Sequence, residues 1–192
     1  AKPAGSNKPD SHANLFRVSE RTVALDSADT SAGEGVQHNT ESLTALLERV
    51  SRTFALSNRR LPEPLRSAMT VAYLMFRVSD YLEDNTVMDR DRKVRLLNLW
   101  DSVLAEQEPE ERLAAELRKN NDGDPEAEVA RRFRVVIRAL EGLGEEHNRI
   151  VRLRVRQTTQ GMARRQLLGP VIRTEAELDE YMHHVAGVVG YL

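Results

Sequence analysis

The chain has no cysteine in its 192 residues, which excludes disulfide bonds and chemistry that uses a thiol. This composition fits a reducing compartment, so we expect a cytoplasmic protein. No stretch of about 18 consecutive apolar residues occurs, and the sequence therefore predicts no transmembrane helix. The start of the chain has neither the apolar core of a signal peptide nor an initiator methionine, so we expect a processed form or a fragment. Peripheral association with a membrane stays open.

Several functional signatures are also missing. The formal net charge is -2, with 28 basic and 30 acidic residues, and this balance argues against a nucleic-acid partner held by bulk charge. No glycine-rich phosphate loop, His-Glu-x-x-His zinc motif or recognisable Ser-His-Asp set occurs. The adjacent His183 and His184 would point about 100° apart on a helix, so we expect packing or hydrogen bonding rather than joint metal binding. The arginines between positions 131 and 165 are expected mainly on solvated helix faces, with a partner surface as the alternative.

The pattern of apolar residues is helical over most of the chain. Residues 1–38 are the exception, because they are rich in small and polar residues with little periodicity, and we predict a disordered lead-in there. No strand-like alternation of useful length follows, so the predicted class is all-α. Thr40 is predicted to cap a first helix whose apolar face carries Leu43, Leu46, Leu47, Val50 and Phe54. Further helices are predicted at about 64–85, from Asp89, at about 109–119, 126–142 and 145–168, and from Thr174 to the C-terminus, with a loop at 120–125.

The helix predicted at 64–85 carries a polar face with a chemical meaning. Tyr73, Arg77, Asp80 and Asp84 are spaced by four, three and four residues. At about 100° per residue their side chains fall within an arc of roughly 60°, opposite an apolar back. Carboxylates one turn apart hold Mg²⁺ through one or two oxygens each and leave positions for substrate phosphate, onto which a nearby arginine can fork. This face is typical of a diphosphate site.

A solvated, salt-bridged surface is the alternative explanation of the same spacing. Against it, residues 68–78 are nearly all apolar apart from Thr70, Tyr73 and Arg77, which predicts a deeply buried helix. Charges on a buried helix need partners or a metal. The sequence therefore favours the diphosphate site without excluding the surface.

Three segments resemble the squalene/phytoene synthase family, the head-to-head trans-prenyltransferases. They are Ser51–Ala55 with the following Leu61-Pro62, then Tyr73–Asp84 with its aspartate-rich end, and Tyr181–Gly190, close to the family's Tyr-x-x-x-Val-Ala-Gly-x-Val-Gly signature. Gly161-Met162-Ala163 also matches the family's helix before the last segment. The resemblance covers about residues 40–192. It implies that residues 39–192 form part of an all-α isoprenoid synthase domain.

The resemblance also implies an activity and a site. The activity is condensation of two allylic prenyl diphosphates, farnesyl diphosphate in a squalene synthase-type enzyme, through a cyclopropyl diphosphate intermediate. It implies that Asp80 and Asp84 hold Mg²⁺ with Glu83 in support, that Ser51, Arg52 and Arg77 contact diphosphate, and that Tyr73 and Tyr181 lie near the reacting carbons. The chemistry is consistent, since ionising a diphosphate requires neutralisation of its charge and a phenol ring can stabilise a carbocation. NADPH is implied if squalene is the product.

The chain departs from the family pattern in two places. The family's second aspartate-rich motif would follow the last segment, but the sequence stops at Leu192, so we expect this chain alone to be inactive. The family's basic pair before Gly161 reads Arg156-Gln157 here. Two other functions stay open: phytoene synthase-type activity on geranylgeranyl diphosphate, and a non-catalytic homologue acting as an assembly factor, against which the intact aspartates argue. The sequence does not determine the product or the oligomeric state.

Overall fold

The computed structural model describes residues 43–119 and 125–192, and these ranges contain helices and no strand. The predicted disordered lead-in, the Thr40 cap and residues 120–124 of the loop predicted at 120–125 lie outside the described residues, and Pro125 begins a helix. The helices are α1 (43–50), α2 (Arg52–Asn58), α3 (Leu65–Asp84), α4 (Arg90–Leu104), α5 (Glu110–Leu117), α6 (Pro125–Arg131), α7 (Phe133–Glu141), α8 (Glu145–Leu168) and α9 (Glu175–Met182). None of them is long and apolar enough to cross a membrane. The all-α prediction is confirmed for the described ranges.

Two predicted helix starts are confirmed, because their first residues form capping hydrogen bonds. The Asp89 carboxylate accepts a hydrogen bond from the Arg92 amide at 2.7 Å, at the start of α4. The Thr174 hydroxyl accepts from the Glu177 amide at 3.2 Å, at the start of α9. The Glu177 carboxylate reaches back to the Arg173 amide at 2.9 Å, one residue before the cap. Both helices therefore satisfy N-terminal N–H groups that would otherwise lack partners.

Two predicted continuous helices are each broken in two, which corrects those predictions. Ser51 adopts an extended conformation, and its hydroxyl accepts from the Phe54 amide at 3.3 Å, so it ends α1 and caps α2. A serine that satisfies an amide in this way favours a helix start over a helix interior. At Arg132 the backbone leaves helical geometry at φ -95° and ψ 11°, and this separates α6 from α7. Both α6 and α7 then pack on α3.

The core is built around α3, whose apolar back is fully buried at Leu74, Val78 and Leu82. Helices α4, α6, α7 and α8 all pack on it. A polar network lies inside this core: the Trp100 Nε1 atom donates to the Ser79 hydroxyl at 3.1 Å, and Ser79 shares a 2.7 Å hydrogen bond with Thr159. These bonds connect α3, α4 and α8, and Ser79 immediately precedes Asp80. These buried hydrogen bonds therefore fix the rotation of α3 and, with it, the direction of its polar face.

Candidate functional site

The polar face of α3 occupies the last three turns of that helix. Tyr73, Arg77 and Asp80 are half-buried and Asp84 is exposed, all on the one helix, as predicted. Glu83, predicted only to support the site, is buried with 6% of its surface exposed. The face therefore lies at the edge of the core and is neither fully solvated nor fully enclosed.

Arg77 holds this face together. One guanidinium nitrogen donates to Asp80 Oδ2 at 3.1 Å, and another contacts the Glu126 carboxylate on α6. The guanidinium carbon lies 5.9 Å from the centre of the Tyr73 ring, within cation–π range. Only about a quarter of each paired side chain is exposed, so the Arg77–Asp80 pair is better shielded than a solvated surface salt bridge. Glu126 was missed from the sequence, because it comes from another helix across a long sequence separation.

A cavity of about 410 Å³ opens where α3 ends. It is lined by Glu83, Asp84, Arg90, Lys93, Arg165, Gln166, Gly169, Pro170, Ile172 and Tyr181. The Lys93 ammonium donates to the Glu83 backbone carbonyl at 2.6 Å, which connects α4 to the rim. Asp84 and Tyr181 thus meet at one cavity across a long stretch of sequence. Tyr73, Arg77 and Asp80 are not among the residues that line this cavity.

The carboxylates of this region are incompletely neutralised. Burial, helped by the charges of Asp84 and Asp80, raises the pKa of Glu83 to about 7, against opposing effects of Gln166 and Lys93. Burial also raises the pKa of Asp80, with Arg77 opposing the shift and Asp84 adding to it. The pKa of the Tyr181 phenol is raised by burial and then by the neighbouring carboxylates, so this phenol keeps its proton at neutral pH. Burial therefore makes the charged forms of Glu83 and Asp80 costly, and a positively charged partner would offset that cost.

The last segment is not one continuous α-helix, which corrects the sequence prediction. α9 ends at Met182, a π-helical turn follows at His183–Gly187, and a 3₁₀ turn at Val188–Tyr191. The Thr158 hydroxyl on α8 donates to the His184 carbonyl at 2.8 Å, inside the π turn. His184 Nδ1 lies 2.7 Å from the Glu180 carbonyl, so the predicted packing or hydrogen-bonding role of the histidine is confirmed for His184.

Gly161 allows this segment to lie close to α8. A Cβ atom at position 161 would lie 2.3 Å from Cβ and Cγ of His184, a distance that real atoms do not tolerate. The glycine in the Gly161-Met162-Ala163 match is therefore explained by a close helix contact. The same contact holds the segment that carries Tyr181 against the bundle.

We expect Gly161→Ala to lower the free energy of unfolding by about 1–3 kcal/mol, because the new methyl group must push the His184 backbone away. Urea unfolding measures the loss, and hydrogen exchange of residues 183–191 measures the loosening. Gly190→Ala is the matched control, since a Cβ there meets nothing within 4 Å. Equal effects of the two substitutions would contradict the contact.

Two of the predicted diphosphate contacts, Ser51 and Arg52, lie in the segment before α3. Ser51 is occupied as the cap of α2, and Arg52 is exposed on the first turn of that helix. The connection to α3 is made instead by Phe54, whose ring stacks on Tyr73 with centres 4.3 Å apart. Diphosphate contacts from Ser51 and Arg52 therefore stay predictions.

Two arginines expected on solvated faces are structural. Arg165 is buried and donates to the carbonyls of Gly169 and Val171, which shapes the loop that lines the cavity. Arg156, in the altered pair, donates to the Asp101 carboxylate of α4 at 2.8 Å. The prediction of a solvated face is wrong for Arg165, since the α8–α9 loop folds over it. The apolar periodicity of a helix carries no information about the path of a loop that folds back over that helix.

The donor chemistry at the end of α3 fits Mg²⁺, because hard carboxylate oxygens one turn apart are the ligands this ion uses together with phosphate. Burial raises the pKa of Asp80, and a bound cation would favour its charged form. Within residues 43–119 and 125–192, however, no group of three His, Cys, Asp or Glu side chains is placed to hold a metal ion. The described chain therefore supplies carboxylates but not a complete protein cage.

The fold and the site define a class. A solved structure of TcSQS in complex with the ligand BPH1237 matches with a TM-score of 0.65 at 27% identity, over 80% of this chain and 42% of that one. The architecture is the all-α isoprenoid synthase fold. The family model for squalene/phytoene synthase matches residues 47–192. The chain belongs to the squalene/phytoene synthase family.

Individual relatives agree with this assignment at low identity. Squalene synthase of Homo sapiens is 27% identical over 184 residues, which are 95% of this chain and 41% of that protein. Squalene synthase of Solanum lycopersicum is 32% identical over 146 residues, which are 76% of this chain and 33% of that protein. The chain thus spans between a third and two fifths of the length of these relatives.

Proposed function

We propose that this chain forms part of a head-to-head prenyltransferase site that condenses two molecules of farnesyl diphosphate through a cyclopropyl diphosphate intermediate. The observation that carries the proposal is the meeting of Asp84 and Tyr181 at one cavity, with Asp80 about one turn and Arg77 about two turns away on α3. The squalene synthases among the relatives support farnesyl over geranylgeranyl diphosphate.

Each residue has a distinct proposed role. Asp80 and Asp84 would hold Mg²⁺, which when bound neutralises the diphosphate as its C–O bond breaks. Arg77, held by Asp80 and Glu126, is oriented to fork onto a phosphate that displaces one of those carboxylates. The Tyr181 phenol, which keeps its proton, presents a polar group at the cavity near where the prenyl carbon ionises. Tyr73 presents its ring beside Arg77.

The same proposal includes what residues 1–192 can do alone. Two carboxylates on one helix bind Mg²⁺ weakly without further ligands, so we propose that residues 1–192 alone bind substrate but do not turn it over. A reductive step with NADPH is proposed only for a protein whose product is squalene. A cytoplasmic location, with peripheral attachment to membrane where the prenyl product leaves, is part of the same proposal.

The test is binding of farnesyl diphosphate to the chain with Mg²⁺ and with EDTA, followed by NMR at the amides of residues 80–84 and of Tyr181. We expect affinity at these positions at least about tenfold lower in EDTA, because metal neutralisation of phosphate charge is worth several kcal/mol. A titration with inorganic diphosphate in place of farnesyl diphosphate separates the contribution of the diphosphate group to binding from that of the prenyl tail. Shifts at these amides of the same size in EDTA, or none with Mg²⁺, would contradict the proposal.

A further inference from the structure

A second charged region lies on the opposite side of α4 from the candidate site. α4 presents Arg90 and Lys93 to the cavity at the end of α3. About 100–160° around the helix, Arg92 and Arg95 line a separate groove of about 570 Å³ between α4 and α5. The groove is lined by Arg92, Arg95, Leu96, Asn98, Leu99, Ser102, Glu108, Arg112, Glu116 and Lys119. Nothing in the prenyltransferase proposal uses these residues.

The charges of the groove are unevenly paired. The Arg112 guanidinium donates to Glu108 at 2.5 Å, and the Lys119 ammonium donates to Glu116 at 2.5 Å, so both carboxylates are already occupied. Arg92 and Arg95 form no ion pair with another described residue. Four basic and two acidic side chains thus line the groove, and Arg92 and Arg95 lie one turn apart without a direct ion pair.

One of these guanidinium groups also has an unused donor. The Nη2 atom of Arg92 is shielded from solvent and has no hydrogen-bond partner within the part of the chain that the structure describes. A charged donor hidden from water without an acceptor is costly, so a change of the Arg92 rotamer that brings this donor to an anion would be favoured. The positive potential is felt nearby, since a hydrogen bond from Lys119 and the charges of Lys119, Arg92 and Arg95 lower the pKa of Glu116.

We propose that the α4–α5 groove binds a phosphate-bearing anion through Arg92 and Arg95. Guanidinium groups fork onto phosphate oxygens, and two of them three residues apart on a helix span neighbouring phosphates. Asn98 and Ser102 lie further along the same face of α4 and supply neutral donors. The half-buried Leu99 and buried Leu96 form the floor. This site is separate from the cavity at the end of α3, with which it shares no lining residue.

The experiment titrates inorganic tripolyphosphate into the chain in EDTA, followed by NMR at the amides of α4 and α5. We expect saturable shifts there, weakening as salt rises. Arg92→Gln with Arg95→Gln should lower the affinity at least about tenfold, since hydrogen bonds to charged groups are the strong ones. The double lysine variant should fall between the wild type and the double glutamine variant, because it keeps the charge but loses the forked hydrogen bonds of the guanidinium groups. The control is Arg138→Gln with Arg149→Gln, two exposed arginines that do not line the groove.

A second arm separates the sources of phosphate. Sedimentation with vesicles of phosphatidylcholine and phosphatidylglycerol tests a lipid headgroup, with vesicles of phosphatidylcholine alone as the blank. Binding of tripolyphosphate in solution supports a soluble phosphate-bearing ligand, and vesicle binding without it supports a lipid phosphate. Absence of both, or equal losses in the groove and control variants, would overturn the proposal. Each of these outcomes leaves the Mg²⁺-dependent site untouched, because the measurements are made in EDTA.

Discussion

Asp80→Asn is expected to lower Mg²⁺-dependent release of diphosphate from farnesyl diphosphate by about 10²-fold or more, since loss of one charge-stabilising group at the reacting centre costs on the order of 3 kcal/mol in the barrier. The rate is measured in a form of the protein that turns over this substrate. In the 192-residue chain the same substitution is expected to remove the Mg²⁺-dependent part of farnesyl diphosphate binding.

Folding should be nearly unchanged in this variant, which separates a functional loss from a structural one. Burial raises the pKa of Asp80, so its charge is not a favourable feature of the fold, and the Asn oxygen can still accept from Arg77 although the ion pair is lost. Glu145→Gln is the matched neutralisation, at the exposed start of α8, about 30 Å along that helix from the cavity residue Gln166. A rate in Asp80→Asn equal to that of Glu145→Gln would remove the metal-binding role of Asp80.

Trp100→Ala is expected to lower the free energy of unfolding by about 3–5 kcal/mol, because it deletes the largest fully buried side chain and leaves a cavity. The indole packs edge-on to Phe133 with ring centres 5.8 Å apart and donates to the hydroxyl of Ser79. Such a loss is a large share of the stability of a typical domain. Urea unfolding followed by circular dichroism measures it.

Two further variants divide this effect into its parts. Trp100→Phe keeps an aromatic ring in the core but removes the donor, and we expect a loss of about 1–3 kcal/mol, smaller than that of the alanine variant. Leu56→Ala on α2 is the exposed control, since 63% of that side chain already faces solvent. A loss in Trp100→Ala no larger than in Leu56→Ala would contradict the central place of this residue in the core.

Much of the local structure was predictable because its causes are local. Asp89 and Thr174 cap helices by bonds to amides three residues away, and the sequence contains both partners of each bond. The breaks at Ser51 and Arg132 were not predictable from apolar periodicity, since the pattern continues through both positions. The break at Ser51 depends on its hydroxyl accepting a hydrogen bond from a backbone amide. The break at Arg132 depends on α6 and α7 each packing against α3.

The sequence by itself determined the all-helical class and the common face of Arg77, Asp80 and Asp84, because helical periodicity fixes which side chains share a direction. Only the tertiary structure decided what surrounds that face. Glu126 reaches Arg77 from α6, and Tyr181 meets Asp84 because the π turn after α9 fits closely against Gly161. Arg165 became buried because the loop after α8 returns over it. Such contacts join residues far apart in the chain, and they follow from packing that no local pattern contains.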